Sequence, residues 1–277
     1  MRPLALCVIL IASAGALRAD ENLLANGNFE DGLKGWTGLW TRVPAAGKLA
    51  LDADSRHGGK QAARIEHVGL QDWSLAQERT LAVQPGQILQ LRGWARVQGA
   101  GNATLCVVLR DAKGEVSDWV FGESTAGATA DWKLLRSRFI IPPGVASIQA
   151  RLIGHGPATV WLDDAELTAE GTMDELRTKG LPETLKAANA ALDVTLHTAD
   201  GRLTVADRRT GQAWEQRAKG GALVVADARP VPGGLDVRLL DPASMREIAA
   251  VLRLDADRPE LVLELNAKGE MAGALPF

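Results

Sequence analysis

Two short stretches decide the fold of this chain: NLLANGNFE at residues 22–30 and VWLDDAEL at residues 160–167. Between them, apolar and polar residues alternate along several segments, and turns rich in glycine and proline separate these segments. Many short strands with no helical period between them are typical of a β-sandwich or jelly roll. The sequence therefore predicts an all-β unit over residues 20–170.

The alternation is clearest over residues 87–97. One face of this predicted strand carries Leu89, Leu91, Gly93, Ala95 and Val97. The other face carries Gln90, Arg92, Trp94 and Arg96. Residues 103–110, 135–141 and 146–152 follow the same rule. Because successive side chains of a strand point to opposite faces, we expect the apolar sets in the core and the polar sets outside it.

The bracketing stretches resemble the carbohydrate-binding modules of the cellulase C (CenC) type. The resemblance rests on Leu-Leu-x-Asn-Gly-x-Phe-Glu, on the Gly-x-x-x-Trp that follows it, and on the closing Leu-Asp-Asp-x-x-Leu. It covers residues 22 to about 170 and implies a galactose-binding-like jelly roll with a polysaccharide or oligosaccharide as its partner. In modules of this type, the ligand lies across a concave face of the sandwich.

The remainder of the chain differs from the first unit in composition. Seven of the eight tryptophans precede residue 171. Residues 171–192 interrupt the strand pattern and predict a linker with short helical turns over 173–179 and 182–192. Strand alternation then resumes, which predicts a second antiparallel β-sandwich over 193–277. This second unit resembles the accessory β-sandwich of a glycoside hydrolase, and we expect the chain to be the front part of a longer multidomain enzyme.

Several bulk properties limit the class of protein. Residues 1–19 combine Arg2 with an apolar run too short to span a membrane, which predicts a signal peptide and a secreted or periplasmic protein. No later segment is apolar over the length of a membrane span. After cleavage Cys106 is the remaining cysteine, so no intramolecular disulfide is expected. The net charge of −3, without a basic run, argues against nucleic acid as a partner. Nothing in the sequence defines an oligomeric state.

A carbohydrate-binding face needs aromatic rings, which pack on the apolar faces of sugars, among side chains that bond hydroxyls. The outward row Gln90, Arg92, Trp94 and Arg96 has this composition. Arg110 and other arginines of neighbouring strands would extend it. The alternative is a solvated face with Trp94 filling a gap under a loop.

The other tryptophans fall into two groups. Trp36 and Trp132 match aromatic core positions of the family, and Trp161 is expected to pack. Trp40, Trp73 and Trp119 lie in or beside predicted loops, where each could be a sugar platform at a cleft edge or be partly buried. Trp119 is the strongest candidate of these three for a binding residue.

The resemblance also implies a structural calcium ion. In the related modules an acidic residue of the Phe-Glu segment and one of the closing aspartates bind the metal, which corresponds to Glu30 and Asp163. Backbone carbonyls near residues 55–60 would complete such a site. The alternative is a capped loop or an ion pair with Lys60 or Arg64.

Catalytic motifs are not evident in the sequence. Adjacent Asp163 and Asp164 point to opposite faces of a strand and cannot act as a facing glycosidase pair. The histidines lack metal-ligand spacing, and Cys106 lies in an apolar strand. We therefore expect an exported polysaccharide-binding protein, the non-catalytic N-terminal part of a glycoside hydrolase. The alternatives are a structural or protein-interaction module and, with the least support, an enzyme with a catalytic centre in the second unit.

Overall fold

A computed structural model describes residues 21–216, 223–241 and 244–267. The predicted signal peptide lies outside these ranges. The first unit consists of β-strands joined by short turns. Its strands are β1 (Trp40–Thr41), β2 (Gly47–Asp52), β3 (Ala62–His67), β4 (Asp72–Ala76), β5 (Leu81–Ala82), β6 (Gln87–Gly99), β7 (Ala103–Arg110), β8 (Val116–Ala126), β9 (Lys133–Ile140), β10 (Ser147–His155) and β11 (Ala158–Thr172).

These strands form two antiparallel sheets that pack face to face. The six-stranded sheet has the order β1-β4-β10-β7-β8, with β5 also paired to β10. The five-stranded sheet has the order β2-β3-β11-β6-β9. Neighbours in each sheet are mostly distant in sequence, as in a jelly roll. The predicted all-β jelly-roll sandwich is confirmed.

The core of the first unit lies between the two sheets, and strand alternation explains how it is filled. On β6 the buried set is Leu89, Leu91, Ala95 and Val97. The predicted inward residues of β7, β9 and β10 are also buried, among them Leu105, Leu135 and Leu152. The predicted assignment of faces is therefore confirmed on all four strands.

The opening stretch is held against the closing strand by its asparagine and glycine. Leu23 donates its N–H to the carbonyl of Leu167 (2.8 Å), and the Asn22 amide donates to the carbonyl of Ala165 (3.0 Å). A Cβ on Gly27 would lie 1.9 Å from that same carbonyl oxygen, so only glycine allows this approach. The motif thus joins the beginning of the unit to its end.

The second unit contains two four-stranded antiparallel sheets in the described residues, β12-β13-β14-β15 and β16-β17-β18-β19. Its elements are α1 (Met173–Leu176), β12 (Thr184–Ala188), β13 (Leu192–His197), β14 (Leu203–Asp207), β15 (Ala213–Glu215), β16 (Val224–Val231), β17 (Gly234–Asp241), β18 (Arg246–Leu254) and β19 (Leu261–Ala267). Leucine and valine side chains of both sheets form its core. The predicted second antiparallel β-sandwich is confirmed.

The helical expectation for residues 182–192 was wrong. This segment contains β12, whose Leu185 and Ala187 pack against the second core while Thr184 and Ala188 are exposed. Alternation at period two, satisfied by pairing with β13, outweighs the helix propensity of Leu, Lys and Ala in so short a segment. The other expected helical turn is present as α1, which Thr172 and Glu175 close with reciprocal capping hydrogen bonds.

A small apolar contact joins the two units. Met173 and Leu176 of α1, with Ile140 of the first unit, pack against buried side chains of β16 and β17. The N–H of Thr178 also donates to the carbonyl of Ala226 (2.8 Å). No helix in the described part of the chain is both long and apolar enough to cross a membrane.

Candidate functional site

The outer face of the six-stranded sheet carries a cleft of about 840 Å³. We use the name "cleft" for this depression, which is lined by side chains from β1, β4, β7, β8 and β10 and from the loops at one end of these strands. Its lining residues include Thr37, Trp40, Arg42, Asp72, Ser74, Ala76, Asn102, Thr104, Trp119, Arg151, Ile153 and His155. Its volume is within the range of ligand-binding pockets.

Two exposed tryptophans stand on opposite walls of the cleft. Trp40 belongs to β1 and Trp119 to β8, the two strands at the edges of the sheet. Trp40 is 50% exposed and Trp119 is 58% exposed. Four strand spacings separate β1 from β8, which corresponds to about 19 Å along the sheet. The walls are therefore far enough apart to contact different units of one extended ligand.

The floor between the walls is made of short side chains. The register places Trp40 opposite Ser74, Ser74 opposite Ile153, and Ile153 opposite Thr104. Directly paired residues of an antiparallel sheet share a face, so this row crosses the floor from β1 to β7. The Thr104 hydroxyl lies 2.8 Å from the hydroxyl of Thr125, on β8. Small and hydroxylated side chains keep the floor low and provide hydrogen-bonding groups.

An ion pair fixes the wall at Trp40. The Arg42 guanidinium lies 5.6 Å from the centre of the Trp40 ring and forms a bidentate pair with Asp72, one bond of which is 2.8 Å. Hydrogen bonding to Arg42 lowers the pKa of the Asp72 carboxyl from its ordinary value, and the same bond raises the pKa of Arg42. Both groups are therefore charged at neutral pH, and their charges compensate each other.

A second arginine, Arg151 on the central strand β10, extends from the floor to the opposite wall. The Arg151 guanidinium is 5.5 Å from the centre of the Trp119 ring, and its Nη2 donates to the Trp119 carbonyl. At the end of the cleft, Asn102 accepts a hydrogen bond from the N–H of His155 (3.1 Å). The cleft therefore combines two aromatic platforms with amide, hydroxyl, carboxylate and guanidinium groups. Such a set can stack planar apolar surfaces and bond several hydroxyls at once.

The structure divides the six predicted ligand-binding residues between two faces. Trp119 is in the cleft. Arg110 points from the same face of β7 but lies at the far end of the strand, where its Nη1 donates to the carbonyl of Gly114 (3.2 Å). Arg110 is therefore on the same face of the sheet as the cleft but is not one of the residues that line it.

The predicted row on β6 lies on the outer face of the five-stranded sheet, on the other side of the sandwich. Its polar members already have partners: Arg92 forms an ion pair with Glu166, and the Gln90 amide oxygen accepts from Arg136. Arg96 lies 5.3 Å from the centre of the Trp161 ring and donates to the hydroxyl of Ser55. Trp119 and the row on β6 cannot contact one ligand together.

Trp94 is covered on one side by a loop. The His57 ring stacks on it at 4.1 Å with an interplanar angle of 13°, and Trp132 contacts the edge of the same imidazole. His57 Nδ1 is in turn 2.7 Å from a carboxylate oxygen of Asp164. Trp94 thus forms part of a packed aromatic group, in contrast to the open rings of Trp40 and Trp119.

Glu30 and Asp163 fasten the loop at residues 57–60 to the rest of the sandwich. One Asp163 oxygen accepts the N–H groups of His57 (2.9 Å) and Gly58 (3.0 Å), and Glu30 accepts the N–H of Lys60 (2.7 Å). Asp163 is fully buried, and this burial raises the pKa of its carboxyl, while the N–H donors act in the opposite direction.

Calcium requires six to eight oxygen ligands, several of them backbone carbonyls. Around these carboxylates the loop presents N–H groups, and the Gly59 carbonyl accepts from Arg56 (3.1 Å). Among the described residues no group of three acidic, histidine or cysteine side chains could hold a metal. A site of two carboxylates and several backbone carbonyls would not need such a group, so calcium at Glu30 and Asp163 stays a prediction.

The remaining tryptophans and Cys106 have structural positions. Trp36 (3% exposed) and Trp161 (6%) are buried as predicted, whereas Trp132 lies outside the core. Trp73, for which a platform was an open alternative, is 1% exposed and belongs to the core. Cys106 is free and buried, as its place in an apolar strand predicts, and burial raises the pKa of its thiol to about 11.

Sequence reasoning missed most of the cleft. Arg42 and Asp72 gave no signal, because one follows and the other begins a short strand with no clear period. Asn102 gave none because it lies in the turn between β6 and β7, where alternation does not apply. Arg151 offered a usable signal, since it alternates with buried Ala150 and Leu152 and therefore points outward.

Comparison with known proteins gives three kinds of result. A family model described as a carbohydrate binding domain matches residues 21–159. No curated protein matches the chain.

Solved structures with a similar fold include tailspike protein 4 of bacteriophage CBA120, at 13% identity and a TM-score of 0.46, covering 53% of this chain and 21% of that one. TmCBM61 in complex with β-1,4-galactotriose has 19% identity and a TM-score of 0.39, and the match covers 54% of this chain and 99% of TmCBM61. The CBM22-1-GH10 modules of Clostridium thermocellum endo-1,4-β-D-xylanase 10B, complexed with xylohexaose, have 14% identity and a TM-score of 0.42. The match covers 53% of this chain and 28% of the xylanase chain.

Proposed function

Because this chain belongs to the carbohydrate-binding domain family, we propose that it binds a polysaccharide in the cleft between Trp40 and Trp119. The observation that carries the proposal is the pair of half-exposed indoles on opposite walls of a polar floor. A single exposed ring needs no explanation, but two rings that line one cleft with polar groups between them form a surface suited to stacking sugars. One sugar unit stacks on each ring, and the intervening hydroxyls bond to floor and wall groups.

The location of the two rings favours an extended ligand over a single sugar. Each ring alone offers one stacking contact, and together they span the width of the sheet. When two units of one glycan stack on the two rings, the binding free energies of both contacts add. The entropy cost of holding the glycan is paid largely once, because the second unit is already tethered. We therefore expect weak binding of monosaccharides and measurable binding of long glycans.

Affinity gel electrophoresis in native gels that contain neutral or acidic polysaccharides tests this proposal. The wild-type chain should be retarded by at least one glycan, and Trp119→Ala should remove most of this retardation. Trp214→Ala is a matched control, because Trp214 is also 58% exposed but lies in the second unit. Retardation that survives in Trp119→Ala but is abolished in Trp94→Ala would place the ligand on the five-stranded sheet instead. Lack of retardation by any glycan, together with a copurifying protein, would favour the interaction module.

We also propose that the protein is secreted or periplasmic and that it is the non-catalytic part of a glycoside hydrolase. The apolar run in residues 1–19 supports export, and the carbohydrate-binding family supports a link to glycan degradation. Sequencing the N-terminus of the exported protein tests the first statement, with a start near residue 20 expected. Measuring reducing ends tests the second: the isolated chain should release none from a glycan that it binds, and turnover removed by changing one carboxylate would contradict it.

A further inference from the structure

Arg151 lies in the middle of the cleft floor. Its strand, β10, is the central strand of the order β1-β4-β10-β7-β8. The residues directly opposite on the neighbouring strands are Ala76 and Cys106, which therefore share its face. Because Cys106 on β7 is short, the long Arg151 side chain extends over it toward Trp119, the wall of the cleft on β8.

In the described part of the chain the Arg151 guanidinium forms no direct ion pair with a carboxylate, and Asp72 interacts with it only at longer range. Arg42 at the other wall, by contrast, is paired with Asp72. The Nε atom of Arg151 is buried without a hydrogen-bond partner. A guanidinium has five N–H donors, and the Trp119 carbonyl uses one of them. The ring contact with Trp119 holds the cation in place, Cys106 is a further hydrogen-bond partner, and the two terminal nitrogens keep donors that these contacts do not use.

Of the described charged side chains that line the cleft, Arg151 is the one without a direct ion pair. Its charged lining residues are Arg42, Asp72 and Arg151, and the first two neutralise each other. A ligand that covers Arg151 without an anionic acceptor would bury an unpaired cation, which is costly. A carboxylate in the same position would form a charge-assisted, bidentate pair with the planar fork of the guanidinium.

We infer that the cleft takes a glycan that carries carboxylate groups, such as a chain of uronic acid residues, and that Arg151 binds one carboxylate beside the sugar stacked on Trp119. This inference rests on the proposed function and names the class of its ligand. Hydrogen bonds to charged groups contribute enough to make the acidic glycan bind about ten- to a hundredfold more tightly than its uncharged counterpart. The chain itself has a net formal charge of −3, so general attraction to a polyanion does not explain such a preference.

Matched pairs of glycans test the inference with the wild-type chain. Polygalacturonate, alginate and glucuronoxylan are each compared with a carboxyl-reduced form of the same polymer in affinity gels. We expect retardation by at least one acidic polymer and a ten- to hundredfold weaker effect of its reduced form. Equal retardation by both members of every pair would overturn the inference and leave the proposed function standing. Lack of retardation by all of these polymers would overturn the inference, and lack of retardation by the neutral polysaccharides as well would overturn the proposed function. Retardation by a sulfated glycan alone would overturn the assignment of a carboxylate.

Variants of Arg151 locate the effect. Arg151→Gln should bind the acidic polymer ten- to a hundredfold more weakly and should lose the preference over the reduced form, while Arg151→Lys should keep part of it. Arg229→Gln is the control, because it removes an arginine whose side chain is 75% exposed in the second unit. If Arg151→Gln binds the acidic polymer as tightly as the wild type, the inference is wrong. If Arg151→Gln does not fold, the comparison of the glycan pairs with the wild-type chain still tests the inference, because it requires no variant.

Discussion

Replacement of Trp119 by alanine should weaken polysaccharide binding by about twentyfold and leave the fold nearly unchanged. A tryptophan side chain offers up to about 250 Å², and Trp119 is 58% exposed. About 145 Å² is therefore available to a ligand, and a sugar ring stacked on one face covers about half of it. At about 25 cal/mol per Å², removal of this stacking surface corresponds to about 1.8 kcal/mol, which is about twentyfold in Kd.

The stability of the variant should change little, because most of the ring is in water. Within the protein, the substitution removes the interaction of the ring with the Arg151 guanidinium, and an exposed cation–π pair contributes about 0.5–1 kcal/mol. Retardation as a function of glycan concentration gives Kd, and a thermal melt gives Tm. Binding by Trp119→Ala within twofold of the wild type, with Tm unchanged, would refute the assignment of Trp119 as a platform.

Four further changes have defined outcomes. Trp40→Ala should weaken binding by about tenfold, since its slightly smaller exposure gives about 1.5 kcal/mol by the same arithmetic; equal affinity would remove the second platform. Gly154→Ala should lower the stability by about 1–3 kcal/mol in a denaturant titration, because its Cβ would lie 2.4 Å from an atom of the buried Trp73 ring. Asp163→Ala should lower Tm by leaving two loop N–H groups without an acceptor; if calcium also binds there, chelator lowers the Tm of the wild type and calcium restores it, and indifference to both removes the metal. Cys106 should resist alkylation at pH 8 in the native chain and react after unfolding, because burial raises its pKa to about 11; rapid reaction in the folded state would contradict its burial.

Strand faces could be predicted from the sequence because they follow from a local property. On β6, β7, β9 and β10 the apolar residues occupy every second position. Residues at every second position of a strand share one face, and this holds for any partner strand. The helical prediction for residues 182–192 failed because the segment is short and contains good helix formers. The pairing of β12 with β13, which settles its structure, is a tertiary interaction that composition does not encode.

The position of the cleft could not be predicted in the same way. Alternation shows that Trp94 and Arg151 both point away from the core, but it does not show that they belong to different sheets. Trp40 lies on a strand of two residues, which is too short for any period. Trp40 faces Trp119 across the cleft because β1 and β8 are the edge strands of the six-stranded sheet. This strand order follows only from the complete topology.

The two outer faces of the sandwich both carry tryptophans and arginines. They differ in whether these side chains already have stacking, hydrogen-bond or ion-pair partners within the protein. On the five-stranded sheet the arginines have partners within the protein, as the pairing of Arg92 with Glu166 shows, and Trp94 is stacked under His57. On the six-stranded sheet two indoles are open and Arg151 forms no direct ion pair among the described residues. Paired polar groups and covered rings gain little from a ligand, because binding must first break interactions that already exist. Unsatisfied groups on a preformed floor gain the full interaction. For this reason the proposed binding site rests less on the number of tryptophans and arginines on a face than on whether those side chains already have partners within the protein.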